Sequence, residues 1–504
     1  MESTNQAKNS IESDKNLFDR ILKYTGVFGG VQGVNVLITM VLNIFKSRWL
    51  GPVGYGITES LNRNLEPVRS STNLGIATVA VPVISHAAGE PQAEGLDRKI
   101  LLTRSWALLT AILGMTVCLA LAPYLSMRAF DGDRSYTYSF MILSMSVAAA
   151  AVTNGETAIL KGAGMLRQIA LSRLLTGAVS LFVSVPLYWF LRIDGIVLAL
   201  ALSVIGGLCV TCCYSMKRFP YRVRPFSWSL LREGTGMIGF GLFFTVTAFL
   251  ASLAWQFITN YIQKEGGEAI LGVYSAGYML VTYFTDLFMA VVESEYFPRL
   301  SAAADDMPRS HSLMNNQSLA MSMLSAPLVI LFMLLVPVMV FVVLEYEKFH
   351  DSIMLAQLAV IGLYFKSVYQ PIAFLVTARS DSKVYMLQES FCYILLILCV
   401  VVGYRGAGVK GIGMAFAAWE LSYLLLVLLV SRIRYGFRMA PLLVNKILTQ
   451  GRIVAAAAAA VVAGGYAGYV VCAVLCAVSA VLSLRFFNAN TTLIPGIVSR
   501  FSRK

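Results

Sequence analysis

ESLNRNLEPVRSSTN, residues 59–73, packs two arginines, two glutamates and three asparagines into a chain that is 57% hydrophobic and only 13% charged. Whether this stretch is a loop or part of a helix fixes the parity of every later membrane crossing, and with it the fold. If a helix began near Asn73, only about 11 to 14 apolar residues would remain before Ser85 and His86, short of the roughly 20 that a crossing needs. The stretch therefore belongs inside a second crossing. At about 100° per residue, Glu59, Asn62, Arg63, Glu66, Arg69, Ser70 and Asn73 fall within one arc of about 120°, with Leu61, Leu65, Val68 and Thr72 opposite. Each charge turned to lipid would cost at least about 2.5 to 3.5 kcal/mol, so the polar arc must face protein or water. A hydrated cavity alongside this helix is the expected arrangement. The same four charges sum to zero, so an internal network in which Glu59 and Glu66 neutralise Arg63 and Arg69 is the other use the residues allow.

Outward from this segment, apolar runs of about 20 residues recur along all 504 positions, and the mean hydropathy is +0.70. The pattern predicts an all-α polytopic membrane protein with about fourteen crossings. They lie near 24–46, 57–87, 101–127, 137–163, 168–192, 195–217, 236–262, 271–300, 318–344, 353–378, 383–403, 410–432, 451–468 and 469–487. The last two form one apolar run too long for a single crossing, and GGYAG at 464–468 offers the turn between them. Residues 1–20 are polar and lack the features of a signal peptide, so the first crossing is expected to stay as an anchor.

The net charge of +13 suits this topology and needs no nucleic acid. With both termini in the cytoplasm, about 28 of the 40 Lys and Arg lie in inward segments and about 9 in outward ones. KRFPYRVRPF at 217–226 and RIRYGFR at 432–438 are the strongest inward markers. All eight cysteines lie in apolar runs, and the cluster Cys209, Cys212, Cys213 has no second pair or loop histidine, so neither a disulfide framework nor a metal site is expected. No cofactor motif stands out, and the absence of GxxxxGK[ST] argues against ATP hydrolysis by this chain.

An internal repeat organises the crossings. Pro82, Ser85, Ala87 and Ala88 match Pro298, Ser301, Ala303 and Ala304 at an offset of 216, as Gly195-Ile196 match Gly411-Ile412. WLGPVGYG at 49–56 aligns with ILGVYSAGY at 270–278 at a slightly larger offset, which implies a small deletion or insertion. Six crossings separate the copies, so they share orientation and should form two lobes rocking about a central site. The expected division is a tail (1–20), a lobe of six helices (21–217), a linker (218–235), a second six-helix lobe (236–435), two appended helices (436–487) and a tail (488–504). This arrangement points to a carrier rather than an enzyme.

Other embedded polar residues are candidates for ion coupling or for binding. Asp286 and Glu293 share a face of the eighth helix, and Lys366 sits within the tenth. Glu156 and Glu420 are expected to bond between helices. Gln256 and Asn260, four residues apart on the seventh, suit sugar hydroxyls or helix ties equally.

YTGVFGGVQGVNVLI at 24–38, LGPVGYG at 50–56, STNLGIA at 71–77 before VPVIS, GVYSAGYML at 272–280 and the FPRLS end of the eighth helix together resemble Wzx-type lipid-linked oligosaccharide flippases of the MOP superfamily. The resemblance runs from about residue 20 to 435. It implies transfer of an undecaprenyl-pyrophosphate-linked glycan from the cytoplasmic to the periplasmic leaflet of a bacterial inner membrane, coupled to H+ or Na+ or driven by the membrane potential. On that reading Arg63 and Arg69 are headgroup ligands, with Lys46 and Lys366 as further cations and Asn62 and Asn73 for hydroxyls. Glu66, Glu59, Asp286 and Glu293 are the coupling or cavity acids. Relatives that flip the peptidoglycan precursor carry Arg-Asp where this chain has Leu42-Asn43, which weighs against that substrate. A cation-coupled multidrug exporter of the same superfamily is the main alternative. A membrane glycan polymerase or ligase is the other, although no large outward loop is present to house its chemistry.

Overall fold

The structure, a computed structural model, describes residues 2–89, 93–223, 228–379 and 381–490. Within these, the side chains of 2–33, 35, 36, 78, 86, 89, 93, 94, 166, 228–231, 235–244, 290–295, 298, 489 and 490 are outside the description. Among the described residues the regular structure is helical throughout. Eight helical rods are long and apolar enough to cross a membrane, the longest of them hairpins such as Arg167–Met216 and Ser382–Tyr435 that each hold two passes.

Divided at their kinks, these eight give ten passes, and the rods Glu2–Thr72 and Trp228–Ala302 supply four more. The first two form the rod Glu2–Thr72, bent at Gly51, with the second continued by Ile76–Gly89. Ala93–Ala129, Thr137–Gly162, Leu166–Leu191 and Gly195–Met216 follow. The seventh and eighth form the rod Trp228–Ala302, bent at Gly267, and Met307–Val343 is the ninth. The tenth joins Asp351–Ala359 to Ile361–Ala378, and the eleventh and twelfth share Ser382–Tyr435, bent at Ala407 and Gly408. Pro441–Ala463 and Gly465–Asn490 end the series, with the expected turn at Gly464.

The second pass departs from the continuous helix expected over 57–87. It is broken at Asn73, Leu74 and Gly75, where Leu74 has φ 46° and Gly75 has φ 66°. Gly75 takes left-handed backbone at little cost while Leu74 is strained there, and together they end one helix and let the next start.

The chain separates into two compact units, Met1–Leu50 with Ser60–Gln256 and Gly51–Glu59 with Phe257–Lys504. In the first, Ile76, Ala80, Ile84, Ile100, Ala158 and Ile159 pack together as a core. In the second, Tyr296, Leu300, Val368, Ile372, Leu375 and Val427 do the same. The last two passes dock on the ninth within this second unit. Leu443 packs with Leu319 and Met323, and Gln450 bonds Ser479 and Ser483.

The 216-residue repeat is written into the backbone. Gly51 (φ 62°, ψ -167°) and Gly267 (φ 77°, ψ 177°) bend their rods alike. Arg192 (φ 53°, ψ -126°) and Gly408 (φ 58°, ψ -136°) turn their hairpins alike. A Cβ on Gly56 would stand 1.9 Å from the Glu268 carbonyl oxygen, and one on Gly272 would stand 1.8 Å from that of Pro52. All four residues lie in the second unit and pair at the same offset, so the two segments cross as a reciprocal contact. The larger offset expected for WLGPVGYG is therefore corrected: the constant spacing of 216 holds through this loop, because Gly51 and Gly56 answer to Gly267 and Gly272.

Candidate functional site

The broken second pass gives the first unit its cavity. Leu61 and Leu65 are fully buried and Val68 and Thr72 nearly so, which seats the face opposite the polar arc in the protein. The arc itself turns to the fourth and seventh passes. Ser70 hydrogen-bonds Ser252 at 2.9 Å and the Arg63 guanidinium lies over the Trp255 ring, 5.1 Å from its centroid, while outside the arc the buried Asn64 oxygen accepts from the Gln256 amide at 2.9 Å. Beyond these ties a cavity of about 370 Å³ opens, lined by Glu66, Arg69, Ser70, Thr72, Asn73 and Gly75 from the second pass, Asn154 from the fourth and Thr245 from the seventh.

Two arginines in this unit have opposite fates, and distance decides between them. Arg104 on the third pass grips Glu156 on the fourth with two bonds of 2.7 and 3.0 Å, both side chains about 2% exposed or less. It also donates to the carbonyls of Phe219 and Pro220 and to Ser215, and the Tyr221 ring covers it. Each nitrogen of this guanidinium donates to the protein, which makes the pair structural. Arg69 is held loosely. Its contact to Glu66 is 3.7 Å with the glutamate 47% exposed, a geometry worth at most about 1 kcal/mol. Its other contact is a 3.1 Å bond to Ser146. The Arg69 Nε is buried without a partner, and so is the Asn73 Oδ1. A loosely held guanidinium at the wall of a polar void is free to turn toward a ligand that completes its bonding.

A second cavity, about 100 Å³, lies in the second unit between the eighth, tenth and twelfth passes. Asp286, Lys366 and Glu420 line it with Tyr278, Phe416 and Trp419. Lys366 is within Coulombic range of both carboxylates. The Tyr369 hydroxyl donates to Glu420 at 2.6 Å, so Glu420, like Glu156, bonds between helices as expected.

The expected site residues thus divide among several places. Glu66, Arg69 and Asn73 meet at the first cavity, and Asp286 and Lys366 at the second. Arg63 and Asn62 are half-buried and line neither cavity. Lys46 is half-buried on the first pass, and Glu59 belongs to the short segment assigned to the second unit. The Glu293 side chain lies outside the described residues. Gln256 serves as a helix tie. Among the described residues no group of three His, Cys, Asp or Glu is placed to hold a metal ion.

A family model described as polysaccharide biosynthesis protein matches residues 97–354, just over half of the chain. The chain belongs to this family. By fold, the chain is similar to the lipid II flippase MurJ in an inward closed conformation, with a TM-score of 0.71 and 12% identity over 92% of this chain and 99% of that one. It is also similar to an inward-facing multidrug resistance MATE family transporter of the MOP superfamily, with a TM-score of 0.66 and 14% identity over 80% and 94%. The Vibrio cholerae MATE transporter VcmN in the bent form gives 0.57 and 15% over 86% and 98%. A comparison with curated protein sequences returns no match. The chain is a multi-pass membrane protein with the fold of these structures.

Sequence reasoning missed four contributors. Arg104 was signalled by Glu156, since a buried acid on one helix calls for a cation on its neighbour. Asn154 sits two residues from that glutamate, one turn from Ala150 and Ala151 on the cavity face. The aromatic wall of Phe416 and Trp419 flanks Glu420, and sequence alone gives no signal that these rings turn inward together.

Proposed function

We propose that this protein flips an undecaprenyl-pyrophosphate-linked oligosaccharide from the cytoplasmic to the periplasmic leaflet of a bacterial inner membrane, by alternating access and with both termini cytoplasmic. The observation that carries the reading is the weakly engaged Arg69 guanidinium, its Nε unmet, beside a cavity of about 370 Å³ on a polysaccharide biosynthesis fold. A pyrophosphate is a compact multivalent acceptor that a guanidinium fork matches, and it outcompetes a single exposed carboxylate such as Glu66 for that fork. Asn73, Asn154 and Thr245 supply neutral donors and acceptors around it. Arg63, Asn62 and Lys46 extend the polar path, and Glu59, Glu66 or Glu293 carry the coupling to H+, Na+ or the membrane potential.

Replacing Arg69 by Gln in cells that depend on this protein, at unchanged protein level, should abolish surface polysaccharide and leave lipid-linked glycan in the cytoplasmic leaflet. Normal surface polysaccharide in that strain would refute the role of Arg69. Gain of resistance to organic cations, with glycan unaffected, would favour drug export.

A further inference from the structure

The second cavity holds two charged side chains to which the described residues give no hydrogen bond. Lys366 on the tenth pass and Asp286 on the eighth both line it, and neither makes a hydrogen bond or ion pair with another described residue. Ionised groups at membrane depth are costly unless they pair or meet a polar ligand. Lys366 offers only donors and Asp286 only acceptors, so one ligand that satisfies both must carry acceptors and donors a few ångströms apart. A vicinal diol does so.

The remaining wall fits the rest of such a ligand. Tyr278 stacks on Phe416 with centroids 4.9 Å apart, and Trp419 stands edge-on to Phe416 at 6.2 Å. Trp419 is pinned, because its indole N–H donates to the Cys392 carbonyl at 3.0 Å. Ring faces are electron-rich and attract the polarised C–H bonds on the flat side of a pyranose. Thr282 and Thr285 add hydroxyls that donate or accept as required. One carboxylate oxygen of Glu420 is tied to Tyr369, which fixes the orientation of that acid. A cavity of about 100 Å³ is below the roughly 300 to 1,000 Å³ of complete ligand sites, so it suits one ring of a longer molecule.

We propose that this cavity is a sugar subsite, in which Asp286 and Lys366 bond ring hydroxyls of one residue of the glycan while Tyr278, Phe416 and Trp419 pack its apolar side. The assignment rests on the reading of the substrate as a lipid-linked glycan. It differs from the ion-coupling role expected for Asp286 in giving that carboxylate to a sugar hydroxyl. Two carboxylates against one ammonium also set the specificity, favouring neutral or N-acetylated sugars over uronic acids.

The full chain in nanodiscs, probed by saturation-transfer NMR with N-acetylglucosamine, N-acetylgalactosamine, glucose, galactose and glucuronic acid, tests this. Saturation transfer should reach the neutral and N-acetylated sugars and spare glucuronic acid. Asp286→Asn, Lys366→Met and Trp419→Leu should each weaken binding by about tenfold, and the milder Trp419→Phe, which keeps a ring, should weaken it less. Absence of transfer to every sugar, or equal binding in wild type and all variants, overturns the assignment. Farnesyl pyrophosphate, which carries no sugar, reports the other cavity separately. Its binding should fall with Arg69→Gln and survive Lys366→Met. Loss of that pattern with the sugar results intact would fault the headgroup reading alone. A shift in Na+ or pH dependence of transport in Asp286→Asn, with sugar binding unchanged, would mark a coupling site and overturn the subsite.

Discussion

Placing a single methyl group on Gly272 should drive two helices apart. Its Cβ would stand 1.8 Å from the Pro52 carbonyl oxygen, 2.6 Å from the carbonyl carbon and 2.9 Å from the Pro52 Cα. Close C···O contacts settle near 3.3 to 3.6 Å, so the segments must part by about 1.5 Å. The obstructing atoms are backbone, so no rotamer change relieves the clash. Overpacking of this kind costs about 1 to 3 kcal/mol, and the gap opened along the crossing adds to it, while alanine's better helix propensity returns at most about 1 kcal/mol. Gly272→Ala should therefore lose roughly 2 kcal/mol or more, seen as a fall of several degrees in the temperature at which the detergent-solubilised protein loses its monodisperse peak. Gly56→Ala should cost the same, because its Cβ meets the Glu268 carbonyl at 1.9 Å in the mirror-related contact. The double variant should cost less than the sum, since the first displacement makes room for the second methyl. Gly406→Ala, which meets nothing within 4 Å, is the control. Should Gly56→Ala and Gly272→Ala prove as harmless as Gly406→Ala, the reciprocal crossing and the repeat geometry built on it are wrong.

Further outcomes follow from the same geometry. Arg104→Met strands Glu156 in the interior and should cost about 3 to 5 kcal/mol, visible as lost folded yield, whereas the double change Arg104→Met with Glu156→Leu should recover most of it. Arg192→Gly relieves a non-glycine backbone at φ 53°, where the repeat already places Gly408, and should raise thermal stability by about 1 kcal/mol despite losing an exposed 3.3 Å bond to the Trp49 carbonyl. Hydrogen bonds from Lys99 and Arg98 hold the Glu233 carboxyl below its ordinary value of 4.5. A lowered folded pKa stabilises above the ordinary value and is lost as pH falls through the folded one, so stability should decline on acidification below about pH 4.5, with a shallower decline in Glu233→Gln.

Much of this architecture was legible because lipid imposes a strict rule on helix length and on charge. The apolar runs gave fourteen passes, and the buried Leu61, Leu65 and Val68 bear out the helical wheel drawn for the second. The break at Asn73–Gly75 escaped notice because hydropathy is blind to backbone hand, although Asn-Leu-Gly carried the clue. The two candidate cavities depend on side chains from passes far apart in sequence. Periodicity within one helix identifies the polar arc, yet it does not say that Arg63 will rest on Trp255 while Arg69 keeps an unmet nitrogen. Glu156 and Glu420 look alike in sequence, and only packing shows that one meets Arg104 and the other Tyr369.

The central claim is movement of a pyrophosphate-linked glycan between leaflets, and reconstitution tests it most directly. Proteoliposomes carrying a fluorescent undecaprenyl-pyrophosphate-linked N-acetylhexosamine in both leaflets are exposed to a membrane-impermeant quencher. With the wild-type chain the protected inner-leaflet pool should drain over time, and with Arg69→Gln it should persist as in protein-free vesicles. A protected pool that stays constant with the wild type, or drains equally fast with Arg69→Gln, contradicts the account.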